Sequence, residues 1–161
     1  MTRPRQHRGI RAALAALVAL LVACLAAPLA ATERIVVNPL TGLAIEGYDP
    51  VSYFTPDGPR LGLDKLEFAW RGAIWRFANE GNLAAFREAP EIYTPRYGGH
   101  CAMAAARNAI ADGKPLLWRV YRERLYLFYS VGNRAAFDTE PERWMRRADE
   151  YWPQLETQLS P

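Results

Sequence analysis

The sequence predicts an α+β fold, a single small domain built from two β-hairpins and short packed helices. From Leu66 to Trp70, large apolar residues alternate with charged or smaller ones. This alternation is the period of a strand with one buried face. A similar segment returns after Arg71-Gly72, and a second pair of such segments lies nearer the C-terminus. Helix-capping residues follow both pairs, so helices are expected to pack against the hairpins.

The first half of the predicted domain contains one hairpin and one helix. In the return strand, Trp75 and Phe77 share a face. Asn79 is a helix-capping residue, and Pro90 favours a helix end because it restricts the residue before it. The expected elements are a short strand (33–37), the strands of the hairpin (66–70 and 74–78) and a helix (79–88).

The second half is expected to place another hairpin between two helices. Thr139 and Glu142 have the spacing of a capping box, and Trp152-Pro153 favours a helix end before that pair. No internal repeat is expected. The expected elements are a helix of small residues (100–108), two strands (116–121 and 125–130) and a C-terminal helix after residue 139.

The N-terminus has the layout of a bacterial secretory signal. Its first eleven residues contain four arginines and no acidic residue, and an apolar run over Ala12–Ala31 follows. Consecutive arginines are absent, which favours the general secretory route. We therefore expect residues 1–30 to direct export, with a periplasmic or cell-envelope location for the folded part.

Two alternatives to a cleaved leader remain open. Leu21-Val22-Ala23-Cys24 resembles a lipobox, in which Cys24 carries a lipid and becomes the first residue of the processed chain. The apolar run, at about 20 residues, is also long enough for an uncleaved membrane anchor. In each case we expect contact with the membrane only through the leader or the lipid on Cys24.

The basic balance of the chain belongs to the leader. The 161 residues include 20 basic and 17 acidic ones, a net charge of +3. Residues 1–30 hold four arginines and no acid, which leaves 16 basic residues against 17 acidic ones. Without a positive field, nucleic-acid binding has no support. Arg143, Arg146 and Arg147 share one helix face, which we interpret as a solvated surface.

The remaining chain divides into a lead-in (31–43), a folded domain (44–155) and a C-terminal tail (156–161). Beyond the leader, Cys101 is the one cysteine and His100 the one histidine, so no intramolecular disulfide supports the fold. Both residues follow Gly98-Gly99, a pair that permits left-handed backbone or close approach of another group. Any functional site that uses a thiol or an imidazole therefore lies here.

A series of motifs extends along residues 44–155. They are Gly47-Tyr48-Asp49-Pro50-Val51-Ser52-Tyr53-Phe54, Trp70-Arg71-Gly72-Ala73-Ile74-Trp75-Arg76-Phe77-Ala78, Tyr97-Gly98-Gly99-His100-Cys101-Ala102, Trp118-Arg119-Val120 and Ala148-Asp149-Glu150-Tyr151-Trp152-Pro153. In this order they resemble the exported branch of the YHS domain family. The resemblance implies a YHS-like fold, and it implies little about activity, because many exported members have no assigned biochemical role.

The related YHS modules of heavy-metal-transporting ATPases carry cysteines after the Asp-Pro-Val element and around the strand-to-helix turn. In this chain the corresponding places hold Ser52 or Tyr53, Ala78 and Asn82. The metal-ligand positions of that branch are therefore lost. A metal site in this protein would need to be built from other residues.

His100, Cys101 and Met103 are the candidate metal ligands. They offer an imidazole, a thiolate and a thioether, the donors that Cu(I) favours. Zinc would need an acidic ligand to complete its set, for which Asp49 is the candidate. The three side chains converge only if the glycine turn bends His100 back over the helix start. The alternative is a buried, apolar Cys101 and a histidine bonded to a carbonyl.

Two further interpretations use the same region. A thiol at a helix N-terminus beside an imidazole is the arrangement of a nucleophilic cysteine, although no second cysteine is present beyond the leader to resolve it. In the other interpretation, exposed tyrosines form the wall of a pocket that binds a small molecule or a metal ion. The residues of this predicted pocket are Tyr48, Asp49, Tyr53 and Tyr97, with His100 and Cys101 nearby.

The sequence therefore predicts a non-catalytic module of the cell envelope that binds a metal ion, copper or zinc, or a small ligand near His100 and Cys101. The first alternative is a cofactor-free accessory protein that acts through its surface. The second is a thiol-dependent enzyme that uses Cys101. Other catalytic signatures, such as a P-loop or a G-x-S-x-G elbow, are absent from the sequence.

Overall fold

Four strands form two separate antiparallel hairpins in the structure, a computed structural model that describes residues 34–159. Within that range five helices complete a single α+β domain, which confirms the predicted fold class. The strands are β1 (Leu63–Trp70), β2 (Ala73–Phe77), β3 (Lys114–Tyr121) and β4 (Arg124–Phe128). The helices are α1 (Glu80–Glu88), α2 (Pro90–Tyr93), α3 (Ala102–Ala105), α4 (Val131–Thr139) and α5 (Pro141–Glu156).

Both hairpins close through two-residue turns with left-handed backbone. Arg71 and Gly72 have φ values of 49° and 78°, and Arg122 and Glu123 have φ values of 48° and 58°. Turns with two positive φ values match the right-handed twist of the strands that they join. A register irregularity interrupts each hairpin after its outermost residue pair. The two hairpins are therefore built to the same plan.

The second half of the domain repeats the first at a constant spacing. β1 and β3, β2 and β4, α1 and α4, and the first residues of α2 and α5 are each 51 positions apart. The domain is therefore a tandem duplication, whereas the sequence predicts no internal repeat. We call residues 45–93 the first repeat and residues 97–144 the second. The same spacing relates the identical pairs Gly62 and Gly113, Phe77 and Phe128, Asn82 and Asn133, Phe86 and Phe137, and Pro90 and Pro141.

A turn of left-handed backbone begins each repeat. Residues 45–47 and 97–99 all have positive φ, between 43° and 90°. The Gly47 carbonyl accepts a hydrogen bond from the Gly62 N–H at 2.9 Å, and the Gly99 carbonyl accepts one from the Gly113 N–H at 3.0 Å. Each turn is thereby fixed to the start of its own hairpin.

Two apolar clusters form the core, one around the helix that follows each hairpin, and the first also includes Leu125 and Leu127 of β4. In the first cluster, Trp75 and Phe77 of β2 pack against Phe86 of α1, with ring centroids 5.2 Å apart in both contacts. The counterparts in β4 and α4 pack in the same way, at 5.2 and 5.1 Å. Trp75 and Phe77 are fully buried, which confirms the face predicted for them.

The helices before and after the second hairpin differ from the prediction. Asn79 caps α1 as predicted, by accepting a bond from the Asn82 N–H at 2.8 Å. The helix predicted over 100–108 is limited to α3, because the chain turns through left-handed backbone at Asn108, with φ of 57°. α4 was not predicted, and Ser130 caps it by accepting a bond from the Asn133 N–H at 3.2 Å.

The C-terminal helix begins and ends at other residues than predicted. The capping box of Thr139 and Glu142 does not form, because Thr139 lies in α4 and its hydroxyl donates to the Ala136 carbonyl at 2.7 Å. α5 instead begins at Pro141, whose fixed φ suits the first position of a helix. The helix then continues through Pro153, and its last turn reaches the cleft described below.

The lead-in contacts the second repeat. The Val36 N–H donates to the Gly98 carbonyl at 2.8 Å, and Val37 forms an isolated bridge with Ala44 in place of the predicted strand. The predicted leader, with Cys24, and the last two residues of the tail lie outside the described residues. Among residues 34–159, no helix has the length and apolar character that crossing a membrane requires.

Candidate functional site

Asp49 is a buried structural carboxylate. It follows the left-handed turn of the first repeat and has no exposed surface. Its Oδ1 accepts a hydrogen bond from the Val51 N–H at 2.8 Å. Its Oδ2 accepts bonds from the Ala78 N–H at 2.8 Å and from the Asn82 side-chain amide at 2.6 Å. The carboxylate thus joins the turn to the end of β2 and to α1, and protein donors occupy both of its oxygens.

The tyrosines predicted to wall one pocket are divided between the two clusters. Tyr53 is 2% exposed, and its hydroxyl donates to the Pro115 carbonyl at 3.1 Å. Its ring meets Trp118 edge-on, with centroids 5.5 Å apart. Tyr48 is half-buried against the first cluster, whereas Tyr97 belongs to the second. Tyr97 lines a cleft whose walls do not include the other two tyrosines.

The three candidate metal ligands are buried. His100 is 1% exposed, its Nδ1 lies 3.5 Å from Oδ1 of Asp112, and its ring centroid lies 5.7 Å from that of Trp152. Cys101 and Met103 have no exposed surface and belong to the second cluster. Among residues 34–159, no three His, Cys, Asp or Glu side chains are grouped so that they could hold a metal ion.

Cys101 has the place in the second repeat that Asp49 has in the first. Each follows the left-handed turn, and each N–H donates to a carbonyl that precedes the next strand, Arg60 at 2.8 Å for Asp49 and Ala111 at 2.7 Å for Cys101. The Cys101 sulfur lies 3.4 Å from the side-chain nitrogen of Asn133, the repeat counterpart of the asparagine that Asp49 binds. A thiol therefore stands where the first repeat uses a carboxylate.

We expect the Cys101 thiol to resist labelling in the native protein, because it has no exposed surface. Ellman's reagent should react with it only after unfolding in guanidinium, and peptide mapping of maleimide-treated protein identifies the labelled residue. The positive control is Thr139→Cys in a Cys101→Ser background, since residue 139 is exposed. Rapid labelling of native Cys101 would contradict its burial and favour the thiol-enzyme alternative.

A cleft of about 810 Å³ lies where the tip of the first hairpin, the segment that joins the repeats and the end of α5 meet. Small-molecule sites have volumes of about 300–1,000 Å³. The aromatic residues of its wall are Trp70, Tyr97 and Trp152. Apolar faces and charged groups surround one space, as binding sites for small molecules require. The charged residues of its wall are Arg34, Arg71, Glu91, Arg96 and Glu156.

The charged side chains of the cleft differ in how firmly they are paired. Arg96 lies 2.6 Å from Asp149, which also accepts a bond from the Tyr97 hydroxyl at 3.0 Å. Arg71 lies 3.8 Å from Glu91, and these two side chains are 62% and 64% exposed. The Arg71–Glu91 pair is therefore open to a molecule that enters the cleft, whereas Arg96 is held by the protein.

The duplication supplies an internal comparison for the open pair. Its counterpart, 51 positions later, is Arg122 and Glu142, whose side chains lie 3.2 Å apart. There the Tyr121 hydroxyl also donates to Glu142. In the cleft a tryptophan stands at the position of that tyrosine and has no hydroxyl to donate. The Arg71–Glu91 pair thus lacks a partner that its counterpart has.

Buried tyrosines, among them Tyr53 and Tyr97, make the stability of the protein depend on pH in alkaline solution. Burial raises the pKa of Tyr53 and Tyr97 above the ordinary value of 10.0, and Asp149 raises that of Tyr97 further. Below about pH 10 both tyrosines are protonated in the folded and the unfolded chain, so their contribution to stability is complete. Above about pH 10 only the unfolded chain releases these protons. The free energy of unfolding then falls by about 1.4 kcal/mol per pH unit for each tyrosine.

Urea unfolding at a series of alkaline pH values measures this slope. Tyr53→Phe and Tyr97→Phe should each make the decline shallower by about 1.4 kcal/mol per pH unit, because phenylalanine releases no proton. The two substitutions should add in the double variant. A decline as steep in both single variants as in the wild type would show that neither phenol stays protonated in the folded state.

Most residues of the cleft carry no signal of a site in the sequence. Arg71 is predicted as a turn residue and Trp152 as part of a helix end, and neither Glu91 nor Arg96 belongs to a predicted site. Tyr97 is the one residue of the predicted site that lines the described cleft. The 51-residue spacing is the signal that could have identified the other residues. It relates the Arg71–Glu91 pair to an equivalent pair in the second repeat that also contacts a tyrosine hydroxyl.

Comparisons with family models, with curated proteins and with solved structures find no match for this chain. An assignment of function therefore depends on the residues and contacts described above.

Proposed function

We propose that this chain is an exported, non-catalytic module of the cell envelope that binds a small ligand in the cleft. The observation that carries the proposal is the cleft, in which Trp70, Tyr97 and Trp152 share a space with charged side chains. Apolar walls supply most of the contact area of a bound molecule, and a few polar groups orient it. Trp152 also packs against His100, so the cleft borders the region for which the sequence predicts a ligand.

Two features support binding rather than catalysis. The Cys101 thiol is fully buried, and its neighbour is the amide of Asn133. A nucleophilic cysteine needs access to substrate and a base within hydrogen-bond reach. Among the described residues, the wall of the cleft contains no cysteine, serine, histidine or lysine.

The wider assignment depends on the sequence. The motifs over residues 44–155 support membership of the exported YHS branch, and the arginine-rich leader supports a periplasmic or cell-envelope location. A net charge of −1 beyond the leader, 16 basic residues against 17 acidic ones, gives no support for a nucleic-acid partner. A small molecule that reaches the envelope is therefore the partner that we propose.

Native mass spectrometry of protein isolated from the envelope fraction tests the proposal. We expect an additional, non-covalent mass of a small organic molecule on the wild type. We expect it to be lost in Trp152→Leu, which removes one wall of the cleft. The matched control is Trp144→Leu, because Trp144 lies on the same helix and does not line the cleft.

The other outcomes separate the alternatives. A bare mass in all three proteins would contradict ligand binding in the cleft and favour the cofactor-free accessory protein. An additional mass of copper or zinc that disappears in Cys101→Ser would favour a metal site at His100, Cys101 and Met103 instead. Near-ultraviolet circular dichroism of each variant shows whether its aromatic packing is intact.

A further inference from the structure

We infer that the ligand of the cleft is a neutral saccharide, whose hydroxyl groups bind Arg71 and Glu91 while a ring face stacks on a tryptophan. This inference rests on the proposed function, and it names the ligand class for the same cleft. It depends on three observations: the balance of charges in the cleft, the equivalent arginine–glutamate pair of the second repeat, which a tyrosine hydroxyl completes, and the aromatic wall.

The charges of the cleft favour a ligand without net charge. Its wall includes three arginines and two glutamates, and Asp149 already holds Arg96 at 2.6 Å. Two guanidinium groups and two carboxylates therefore remain. An anion would lie beside the carboxylates and a cation beside the arginines, and like charges brought together are costly. A hydroxyl both donates and accepts, so it satisfies a guanidinium and a carboxylate at once.

The second repeat shows which group such a pair binds. The hydroxyl of Tyr121 donates to Oε1 of Glu142, and Arg122 lies 3.2 Å from the same oxygen. In the first repeat Trp70 replaces that tyrosine, so Glu91 receives no hydroxyl from this position. Glu91 is also more exposed than its counterpart, 64% against 43%. A hydroxyl from a bound molecule would complete the arrangement that the chain itself makes in its other half.

The aromatic wall fits the shape of a sugar ring. One face of such a ring presents C–H groups, which pack against the electron-rich face of an aromatic side chain. Trp152 lies against Tyr97 at 5.3 Å between centroids, and Trp70 stacks with the Arg71 guanidinium at 4.6 Å. The stacking surface and the Arg71–Glu91 pair are therefore adjacent. The volume of about 810 Å³ corresponds to a molecule of the size of a disaccharide or larger.

Side-chain indole N–H signals in nitrogen-proton correlation spectra report binding directly at Trp70 and Trp152. The neutral probes are cellobiose, maltose, lactose and N,N′-diacetylchitobiose. We expect at least one of them to shift these two signals in a saturable manner. A second set of probes shares one sugar ring and differs in charge. It consists of neutral methyl glucoside, anionic glucuronate and cationic glucosamine. We expect the two charged sugars to bind about tenfold more weakly than methyl glucoside.

The duplication supplies matched variants. Arg71→Ala and Glu91→Ala should each weaken binding of the neutral disaccharide by about tenfold or more, because hydrogen bonds to charged groups are lost. Arg122→Ala and Glu142→Ala change the same residue types at the equivalent positions of the second hairpin and should bind like the wild type. All four side chains are more than 40% exposed, the least of them 43%, so the variants are expected to fold.

Each result separates this inference from the proposed function. Tighter binding of glucuronate or glucosamine than of every neutral sugar would overturn the neutral ligand, and tighter binding of zwitterionic tryptophan would overturn the saccharide. Both results would retain the cleft as a binding site. The same holds if no probe shifts the indole signals although native mass spectrometry detects an organic ligand. Silent indole signals together with a bare mass would contradict both. Equal losses of affinity in Arg71→Ala and Arg122→Ala would show that the Arg71–Glu91 pair does not contact the ligand.

Discussion

We expect Asp49→Ala to lower the free energy of unfolding by about 4 kcal/mol, out of a total of about 5–15 kcal/mol for a domain of this kind. The substitution leaves the N–H groups of Val51 and Ala78 and the amide of Asn82 without their acceptor. Each buried donor that loses its partner costs about 1–3 kcal/mol. The turn, the end of β2 and the start of α1 all depend on this one carboxylate, so the three elements should loosen together.

Urea unfolding followed by circular dichroism measures this loss. Asp49→Asn keeps the volume but can accept fewer of the bonds, so we expect a loss of about half that of Asp49→Ala. The control is Asp57→Ala, which removes an exposed ion pair with Arg60 and should cost less than about 1 kcal/mol. A loss below about 1 kcal/mol in Asp49→Ala would show that the carboxylate does not hold the three elements.

The second large effect is expected at two equivalent glycines. A Cβ added at Gly62 would lie 2.5 Å from the backbone carbon of Arg76, and one added at Gly113 would lie 2.5 Å from both the Gly99 carbonyl oxygen and Cβ of Leu127. These distances are far below van der Waals contact, and most of the atoms belong to backbone that cannot move alone. Gly62→Ala and Gly113→Ala should each therefore cost about 3 kcal/mol.

The control for the glycines lies in α4. At Gly132 an added Cβ would meet its nearest neighbour, the Ser130 hydroxyl, at an ordinary 3.9 Å. Alanine also favours the helix, so Gly132→Ala should raise the free energy of unfolding by about 0.5–1 kcal/mol. Thermal unfolding of the three variants distinguishes the cases. Stabilities for Gly62→Ala and Gly113→Ala equal to that of the wild type would show that these glycines do not approach the neighbouring backbone so closely.

Elements that depend on neighbouring residues could be predicted from the sequence. The alternation in β1 and β2 places Trp75 and Phe77 in the core because side chains of a strand point to opposite faces in turn. Asn79 caps α1 because its side-chain oxygen reaches an N–H only three residues away. Patterns that involve only residues close together in the chain can be read from the sequence, because they do not depend on the rest of the fold.

Elements that depend on distant contacts could not be predicted in this way. Pro153 predicts a helix end because it removes a hydrogen bond and costs about 3 kcal/mol within a helix. α5 nevertheless continues to Glu156, and Leu155, beyond the proline, is 3% exposed in the second cluster. Burial of such side chains offsets the cost of the proline. The amount of burial depends on residues far away in the chain, which a local pattern does not contain.

The candidate site shows the same division. Motifs identified Asp49 and Cys101 as unusual, and they are unusual in the structure, where both follow a left-handed turn and contact an asparagine. The sequence could not show that protein donors surround the carboxylate, because Ala78 and Asn82 lie about 30 residues away. Tyr97 was identified because it adjoins the glycine turn. The cleft that it lines also needs residues from the first hairpin and from α5, which only the fold brings together.

The duplication has a consequence for how the chain folds. Two halves with the same order of elements offer each hairpin two similar places to dock, and proteins built from repeats misassemble or exchange segments between molecules for this reason. Divergence of the core residues opposes that error. Trp75 in one half corresponds to Tyr126 in the other, so a hairpin docked on the wrong partner leaves either a void or a clash in a closely packed interior. Differences between the halves therefore help each hairpin to select its own helix during folding.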